Sequence, residues 1–355
     1  MRSARHPRLL GLILCLALLP VASAAAAPAK VPSAGSGGVY WGAWIGPQLT
    51  GEEAPWDMGA VRQLQGMLGK SLSLVQFSAP FEECEGGSCQ PQGFPAEGME
   101  AIRQYGAIPV LSWGSQPDTA SLSNPEYRLA KIAHGAFDPQ IRAFAEQAKA
   151  WGHPFFLRFD WEMNGGWFLW GDVNRNRPRD FVAAWRHVHD IFTAVGATNA
   201  TWTWCPYADT ARQFTPIRRY YPGGAYVDWT CLDGYNWGES AANPAPWRSF
   251  DYLFHQSYRT VTALAPRKPV MLGEIASSGS GQAKSHWITQ MFTQLPKRYP
   301  RVHALVWFEK DDRGTSWTLA SSPPSLRAFR AGLQNPRYSG NSYLTLASSP
   351  ITPPG

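Results

Sequence analysis

Two glutamates stand in apolar surroundings and could do chemistry together. Glu162 lies in the stretch FLRFDWEMNGGWFLWG (residues 156–171), and Glu274 ends the apolar run VMLGE. A charged side chain is rarely buried without a partner, so each is either one half of an ion pair, with Arg158 as the obvious partner, or a reacting group. Hydrolysis of a glycoside needs one carboxylic acid to protonate the leaving oxygen and a second carboxylate to attack the sugar or activate water. We assign the acid to Glu162, whose indole neighbours would raise its pKa by desolvation, and the nucleophile to Glu274.

Aromatic side chains near the ends of predicted strands could hold a sugar beside these acids. The chain has 17 tryptophans among 355 residues, and an indole offers a flat apolar face with one N–H donor. Trp113, Tyr235, Trp237 and Trp307 each end or closely follow a predicted strand. We predict that these four contact the substrate, that Trp307 forms the floor under the reacting sugar, and that the Tyr235 hydroxyl donates a hydrogen bond to Glu274.

Short apolar or aromatic runs predict the strands that must position these residues. They are Val39–Ile45, Leu72–Phe77, Ile108–Trp113, Phe155–Asp160, Ala200–Cys205, Val227–Tyr235, Pro269–Glu274 and Ala304–Glu309. Amphipathic patterns predict helices within Asp57–Leu68 and at Pro139–Trp151, Arg179–Val195, Phe250–Leu264, Ala283–Leu295 and Pro324–Leu333. Strands that alternate with helices indicate a parallel sheet.

Eight such units in roughly 300 residues fit an α/β fold with a single (β/α)8 TIM barrel. The alternative is an open doubly wound sheet, which usually carries a glycine-rich phosphate loop after its first strand; the stretch Gly42–Gly46 does not have that pattern. Active sites of (β/α)8 barrels lie at the carboxyl ends of the strands. Glu162 follows the fourth predicted strand and Glu274 ends the seventh, so we expect them to face each other across the barrel mouth.

Both ends of the chain differ in composition from the middle. A basic start, the apolar run Leu9–Leu19 and the small residues Ala22-Ser23-Ala24 are typical of an export signal. We therefore predict a secreted protein with no membrane anchor once the signal is removed. The predicted segments are a signal peptide over residues 1–27, a flexible leader over 28–37, one catalytic domain over 38–334, and a loosely packed or disordered Pro/Ser/Gly-rich tail over 335–355.

Loss of the signal would remove Cys15 and leave Cys84, Cys89, Cys205 and Cys231. Four cysteines allow three disulfide connectivities, and export permits disulfides. We favour Cys84–Cys89, which would close a small loop, together with Cys205–Cys231, which lie near the ends of neighbouring predicted strands. No histidine stands at ligand spacing from either pair, which argues against zinc.

The charge of the chain argues against a nucleic-acid partner. The net charge of +6 falls to about +3 when the three arginines of the signal are removed, which is too little for a basic binding surface. We expect a monomer whose partner is a polysaccharide or oligosaccharide, with no cofactor.

The motif around Glu162 resembles glycoside hydrolase family 26, the secreted β-mannanases and their relatives. Those enzymes carry an arginine, then His-Glu-Met-Asn-Gly and an aromatic Trp-Phe-x-Trp-Gly; this chain has Arg158, then WEMNG (161–165) and WFLWG (167–171). Residues 232–237 (LDGYNW), 268–274 (KPVMLGE) and 306–308 (VWF) are similar to later strands of the family and occur in the same order. The similarity extends from about Gly38 to about Leu333.

The resemblance implies a (β/α)8 barrel and a retaining, double-displacement mechanism without a metal. Glu162 matches the acid/base, Glu274 the nucleophile and Tyr235 the tyrosine beside it, while Trp167 and Trp307 match aromatics that contact the sugar. Arg158, Trp161 and Asn164 belong to the same motif and are predicted substrate contacts. Trp161 stands where the family usually has a sugar-contacting histidine, so the resemblance predicts the mechanism better than the substrate.

We therefore predict a secreted, endo-acting β-glycanase that hydrolyses β-1,4-mannan. One alternative is a related hydrolase of another β-glycan, namely mixed-linkage glucan, β-1,3-xylan or an exopolysaccharide. The other is a catalytically silent, carbohydrate-binding barrel, although a pure binder would not need two opposed acids.

Overall fold

A computed structural model describes Met1 and residues 37–355, except for residues 120, 209–214, 239, 241–244, 280–281 and 347–348. The predicted signal peptide and all but the last residue of the leader therefore lie outside the described residues, Met1 apart. The described residues from 37 onward belong to one compact unit. None of the described helices is long and apolar enough to cross a membrane.

Strands and helices alternate along the described chain. The strands are β1 (Val39–Ile45), β2 (Leu74–Glu85), β3 (Ser88–Pro91), β4 (Ile108–Pro117), β5 (Phe155–Phe159), β6 (Ala200–Trp204), β7 (Trp229–Asn236), β8 (Val270–Ser277), β9 (Val302–Glu309), β10 (Asp311–Asp312), β11 (Thr315–Ser316) and β12 (Tyr338–Ser339). The α-helices are α1 (Met58–Leu68), α2 (Ala96–Tyr105), α3 (Leu129–Ala133), α4 (Asp138–Trp151), α5 (Pro178–Val195), α6 (Phe250–Leu264), α7 (Gln282–Arg298) and α8 (Pro323–Leu333). All eight predicted strands are present, and β2 and β4 continue well past their predicted ends.

Eight of these strands close into a barrel in which all neighbours are parallel. The order is β1-β9-β8-β7-β6-β5-β4-β2, and β2 pairs with β1 again to close the circle. At the closing pair a Cβ on Gly42 would lie 2.0 Å from the carbonyl oxygen of Leu74, so a glycine is required there. The predicted (β/α)8 barrel is confirmed.

Both faces of the barrel strands are buried, and alternate residues point to opposite sides. Arg158 of β5 points inward, where it donates a hydrogen bond to Ser112 of β4. The next residues along these strands, Phe159 and Trp113, point outward, and the Trp113 ring stacks on Phe144 of α4 at a centroid distance of 4.0 Å. Inward positions can therefore contribute to a site inside the barrel, while outward positions pack against helices.

The segment after α8 is packed, which corrects the prediction of a loose tail over residues 335–355. Tyr338 and Ile351 are each only 2% exposed, and β12 pairs with the start of β1. Trp229 Nε1 donates to the Ile351 carbonyl at 2.7 Å, and the Ile351 N–H donates to Thr201 Oγ1 at 2.9 Å. The segment covers the amino-terminal end of the barrel. Although it is rich in Pro, Ser and Gly, it contains a few large side chains that are buried there.

Both favoured disulfides are present. Cys84–Cys89 closes the β2–β3 hairpin with an S–S distance of 1.98 Å. Cys205–Cys231 joins the end of β6 to β7 with an S–S distance of 2.03 Å. The predicted connectivity is therefore confirmed.

Candidate active site

Glu162 and Glu274 meet at the carboxyl ends of β5 and β8. Each residue is 5% exposed. One carboxylate oxygen from each, together with one from Asp233 of β7, lie within 4.8 Å of one another. Carboxyl groups this close repel each other unless protons or cations offset their charge.

A strained turn carries Glu162 into the barrel mouth. Beyond the end of β5, Asp160 and Glu162 both have left-handed backbone, with φ of 44° and 53°. This conformation is unfavourable for residues other than glycine and occurs often at functional sites. The Glu162 N–H donates to the Cys205 carbonyl at 2.7 Å, and its own carbonyl accepts from Gly165 at 2.9 Å, so both ends of the turn are held.

Trp167 folds back over this turn and touches the acid. A Cβ on Gly165 would lie 2.3 Å from the Trp167 ring, so glycine allows the indole to approach. Trp167 Nε1 donates a hydrogen bond to Glu162 Oε2 at 2.5 Å. Because Oε2 accepts this bond, a proton on the carboxyl group belongs on Oε1.

Burial raises the pKa of Glu162 to about 8, and the negative charge of Glu274 adds to the rise. The Trp167 hydrogen bond and the positive charge of Arg158 lower the pKa in opposition. Glu162 is therefore mostly protonated at neutral pH, which is the state that an acid catalyst needs.

Three donors fix the carboxylate of Glu274. Gln76 Nε2 and Arg158 NH1 donate to Oε1 at 3.1 and 2.7 Å, and the Tyr235 hydroxyl donates to Oε2 at 2.5 Å. The predicted hydrogen bond from Tyr235 is thus present. Glu274 therefore accepts hydrogen bonds through both of its carboxyl oxygens.

Arg158 lies beneath the carboxylates and does not reach the mouth. Its side chain is 0% exposed and forms ion pairs with Asp233 and Glu274. It also donates to Ser112 Oγ at 2.9 Å. Direct substrate contact, which the motif predicted, is therefore wrong for Arg158, because an inward position on β5 places the guanidinium inside the barrel.

Three of the predicted aromatics line the mouth. Trp167, Tyr235 and Trp237 are half-buried, and the Tyr235 and Trp237 rings lie 6.1 Å apart. Trp161 is 7% exposed, with its ring packed 5.0 Å from Phe168. Trp161 thus belongs to the wall of the mouth and presents little of its face.

Trp113 and Trp307 do not line the mouth, which corrects two predictions. Trp113 is 1% exposed and Trp307 is 0% exposed. Both occupy outward positions on their strands, and the Trp307 ring packs 5.4 Å from Phe329 of α8. Trp307 acts on the mouth only indirectly, since its Nε1 donates to the carbonyl of Trp317 at 3.1 Å.

Asn164 supports a loop, although it was predicted to contact the substrate. The residue is 4% exposed. Its Nδ2 donates to the Tyr207 carbonyl, and its Oδ1 accepts from the Tyr207 N–H, both at 2.9 Å. The amide therefore has both ends engaged with backbone and fixes the position of Tyr207.

The sequence did not identify three residues that contact Glu274 or its hydrogen-bond partner Tyr235. Gln76 is a fully buried amide, and its only signal was a polar residue inside the run SLVQFSA. Trp317 packs 5.2 Å from the Tyr235 ring, and Phe308 packs 5.5 Å from it. Trp317 gave no signal, because it follows the β10–β11 hairpin and no strand pattern marks it.

The three clustered carboxylates are also the donor set that a hard cation would use. Arg158 already forms ion pairs with two of them and supplies positive charge at the same place. The absence of a metal remains a prediction from the resemblance.

The chain is similar in sequence to known proteins. Endoglucanase H of Acetivibrio thermocellus is 32% identical over 310 residues, which are 84% of this chain and 31% of that protein. Mannan endo-1,4-beta-mannosidase A and B of Caldalkalibacillus mannanilyticus is 31% identical over 169 residues, 44% of this chain and 29% of that protein. The chain thus spans about a third of the length of these two relatives.

The fold is similar to that of solved structures. A modular endo-beta-1,4-mannanase from Cellulomonas fimi superposes with a TM-score of 0.65 at 18% identity, covering 90% of this chain and 75% of that one. At this identity the likeness concerns the fold alone. The profile of Glycosyl hydrolase family 26 matches residues 117–285, which include Glu162 and Glu274. The chain belongs to glycosyl hydrolase family 26.

Proposed function

We propose that the protein is a retaining endo-β-glycanase with Glu162 as acid/base and Glu274 as nucleophile. The observation that carries the proposal is the close approach of the two carboxyl groups, whose oxygens lie within 4.8 Å. Retaining enzymes have carboxyls about 5–5.5 Å apart, whereas inverting enzymes leave about 6.5–9.5 Å for a water molecule. The short separation favours direct attack by Glu274.

In the first step the Glu274 carboxylate attacks the anomeric carbon while the bond to the leaving sugar breaks. Glu162 gives the proton on Oε1 to the departing oxygen, and a covalent ester with Glu274 results. In the second step water attacks the anomeric carbon, its proton passes to Glu162, and Glu274 is released as a carboxylate. The raised pKa of Glu162 and the three donors on Glu274 suit these different roles.

The first candidate substrate is β-1,4-mannan. Three relatives are named as mannan endo-1,4-beta-mannosidases. The half-buried rings of Trp167, Tyr235 and Trp237 offer apolar faces to pyranose rings.

A second candidate substrate is a β-glucan, and a specific observation favours it. The match to endoglucanase H covers 84% of this chain, whereas the match to mannosidase A and B covers 44%. Trp161 also offers no acceptor where the family usually has a histidine, so the pocket differs from the usual one at a position predicted to face the sugar.

We also propose that the protein is secreted and acts as a monomer. The two disulfides suit an oxidising compartment. The export pattern at the amino terminus gives independent support from the sequence. Detection of the processed protein in culture medium, and its mass in solution, would test both statements.

The experiment that tests the function is a substrate screen with matched variants. The purified protein is assayed on mannan, galactomannan, mixed-linkage glucan, β-1,3-xylan and bacterial exopolysaccharides, and the first-formed product anomer is read by NMR. We expect retention of configuration, and a fall in turnover by several orders of magnitude in Glu162→Gln and Glu274→Gln. Inverted products, or full activity of Glu274→Gln, would refute the mechanism; binding without any released sugar would indicate a silent carbohydrate-binding barrel.

A further inference from the structure

Asp160 is a buried carboxyl group that the proposed reaction does not use. Its side chain is 0% exposed, and it belongs to no ion pair in the described part of the chain. Its Oδ1 accepts from the Ser115 N–H and its Oδ2 accepts from the Ser115 hydroxyl, each at 2.8 Å. A buried carboxyl group that binds a single serine through both oxygens suggests a geometric role.

The two hydrogen bonds between Asp160 and Ser115 extend the connection between β4 and β5 beyond the last backbone pair of these strands. β4 and β5 pair as far as Trp113 and Phe159, and the Asp160 N–H donates to the Trp113 carbonyl at 3.0 Å. From this point the chain leaves β5, so no backbone group of β5 remains to pair with Ser115. The Asp160 side chain takes that place and ties the beginning of the turn to β4.

The Asp160–Ser115 hydrogen bonds constrain the first of two residues that have left-handed backbone conformation. Asp160 has φ of 44° and Glu162, two residues later, has φ of 53°. Aspartate and asparagine tolerate this conformation better than other side chains, but it remains unfavourable for any residue except glycine. Rotation at Asp160 would swing the following residues, so the hydrogen bonds that hold Asp160 also determine where Glu162 points.

We propose that the Asp160–Ser115 pair is a positioning element that aligns the Glu162 carboxyl group with the leaving oxygen. The inference rests on the proposed function, because it takes Glu162 to be the acid. Neither Asp160 nor Ser115 contacts the reacting atoms in this scheme. Their effect passes through the turn to Glu162.

The dependence of kcat/KM on the leaving group distinguishes a misaligned Glu162 from a general loss of active-site structure. A sugar leaves as a basic alkoxide and needs a proton from Glu162, whereas a dinitrophenolate leaves without one. A misaligned acid therefore lowers kcat/KM for an oligosaccharide but not for the corresponding dinitrophenyl glycoside. A merely structural defect lowers both values together.

The variants are chosen to remove the tie in steps. Ser115→Ala removes the hydroxyl bond and keeps the backbone N–H, while Asp160→Ala removes both bonds. Asp160→Asn is the conservative variant, because asparagine also tolerates left-handed backbone. Its amide can accept from the Ser115 N–H and donate to the Ser115 hydroxyl, so activity should be kept. Ser73→Ala is the control, because Ser73 is equally buried and its hydroxyl donates to the Ser339 carbonyl at 2.5 Å, away from the mouth.

We expect kcat/KM on the oligosaccharide to fall about 10- to 100-fold in Ser115→Ala, since a misplacement of about 1 Å can cost a hundredfold. Asp160→Ala should fall further, Asp160→Asn should stay within about threefold of wild type, and the dinitrophenyl glycoside should change little in any of them. Equal losses on both substrates, or the same selective loss in Ser73→Ala, would overturn the proposal.

A second measurement decides the proposal without any activity. The Trp167 indole N–H contacts Glu162 Oε2, so its ¹⁵N–¹H resonance, assigned with Trp167→Phe, reports the position of Glu162. We expect the resonance to shift in Ser115→Ala and Asp160→Ala and to stay in place in Ser73→Ala. An unchanged resonance in the first two variants refutes the positioning role. A wild-type protein that cleaves no β-glycan refutes the proposed function, and the resonance still decides the role of the pair.

Discussion

The hydrogen bond from Trp167 to Glu162 should control the alkaline limb of the activity profile. Glu162 must be protonated to act as an acid, and burial raises its pKa to about 8. Activity should therefore fall as the pH rises through about 8. Trp167 Nε1 donates to Glu162 Oε2 at 2.5 Å, and this bond favours the ionised form. Trp167→Phe removes the donor while keeping an aromatic ring, so it should raise the pKa of Glu162 further.

The size of the shift follows from the strength of the bond in its two states. A hydrogen bond to a charged group contributes about 1.5–3 kcal/mol, and one between neutral groups about 0.5–1.5 kcal/mol. The ionised form of Glu162 thus loses about 1 kcal/mol more than the protonated form. One pKa unit corresponds to about 1.4 kcal/mol, so the alkaline limb should move up by roughly 0.7 to 1 pH unit.

The assay is kcat/KM on an oligosaccharide across the pH range, because this parameter reports the ionisation of the free enzyme. Trp229→Phe is the matched control, since Trp229 also loses an indole bond, to the Ile351 carbonyl at 2.7 Å, at the other end of the barrel. In this control variant the alkaline limb of kcat/KM should lie at the same pH as in the wild type. A limb that stays in place or moves to lower pH in Trp167→Phe would refute this account of the acid.

Three further predictions test neighbouring residues. Tyr235→Phe removes a bond to ionised Glu274 and should lower kcat about 10- to 100-fold with the fold intact; an unchanged kcat would contradict this. Burial raises the pKa of Glu309 to about 8, so its contribution to stability is present below the ordinary glutamate pKa and is lost as the pH rises through about 8. The wild-type Tm should therefore fall more between about pH 5 and pH 8 than that of Glu309→Gln, and equal slopes in thermal scans would argue against it. Trp307→Phe should lower the free energy of unfolding by about 1–3 kcal/mol with KM unchanged, and a raised KM would restore its predicted role as a sugar floor.

The fold could be predicted because its signal is repeated along the chain. Each barrel strand is a short apolar run, and most of the helices between them carry an amphipathic stripe, so errors at single boundaries do not alter the architecture. The extensions of β2 and β4 escaped prediction because they continue into polar residues such as Glu82 and Gln116. The packed tail escaped because three large side chains, Tyr338, Tyr343 and Ile351, outweigh the composition of the segment around them.

The site was predicted less completely, since the direction of a side chain on a doubly buried strand has no compositional signal. Strands of a parallel barrel read as continuous apolar runs because both faces are covered. Trp113 and Trp307 lie within their strands and point outward onto helices. Their inward neighbours Ser112 and Phe308 lie on the side of the site. The buried Trp317 packs 4.8 Å from Trp237 behind the mouth, although Trp317 follows a short hairpin that no periodicity marks.

The position of Arg158 explains why the two glutamates can take different roles. In the sequence Arg158 is four residues from Glu162, which makes Glu162 its natural partner. In the barrel the guanidinium instead bonds to Glu274 and Asp233, while Glu162 receives one neutral donor, the Trp167 indole. Arg158 lowers the pKa of Glu162 by less than burial and the charge of Glu274 raise it, so Glu162 keeps the raised pKa that an acid catalyst needs. The inward position of Arg158 on β5 therefore gives Glu274 a cationic partner, while Glu162 has no direct ion pair in the described part of the chain, a difference that neither glutamate's local sequence determines.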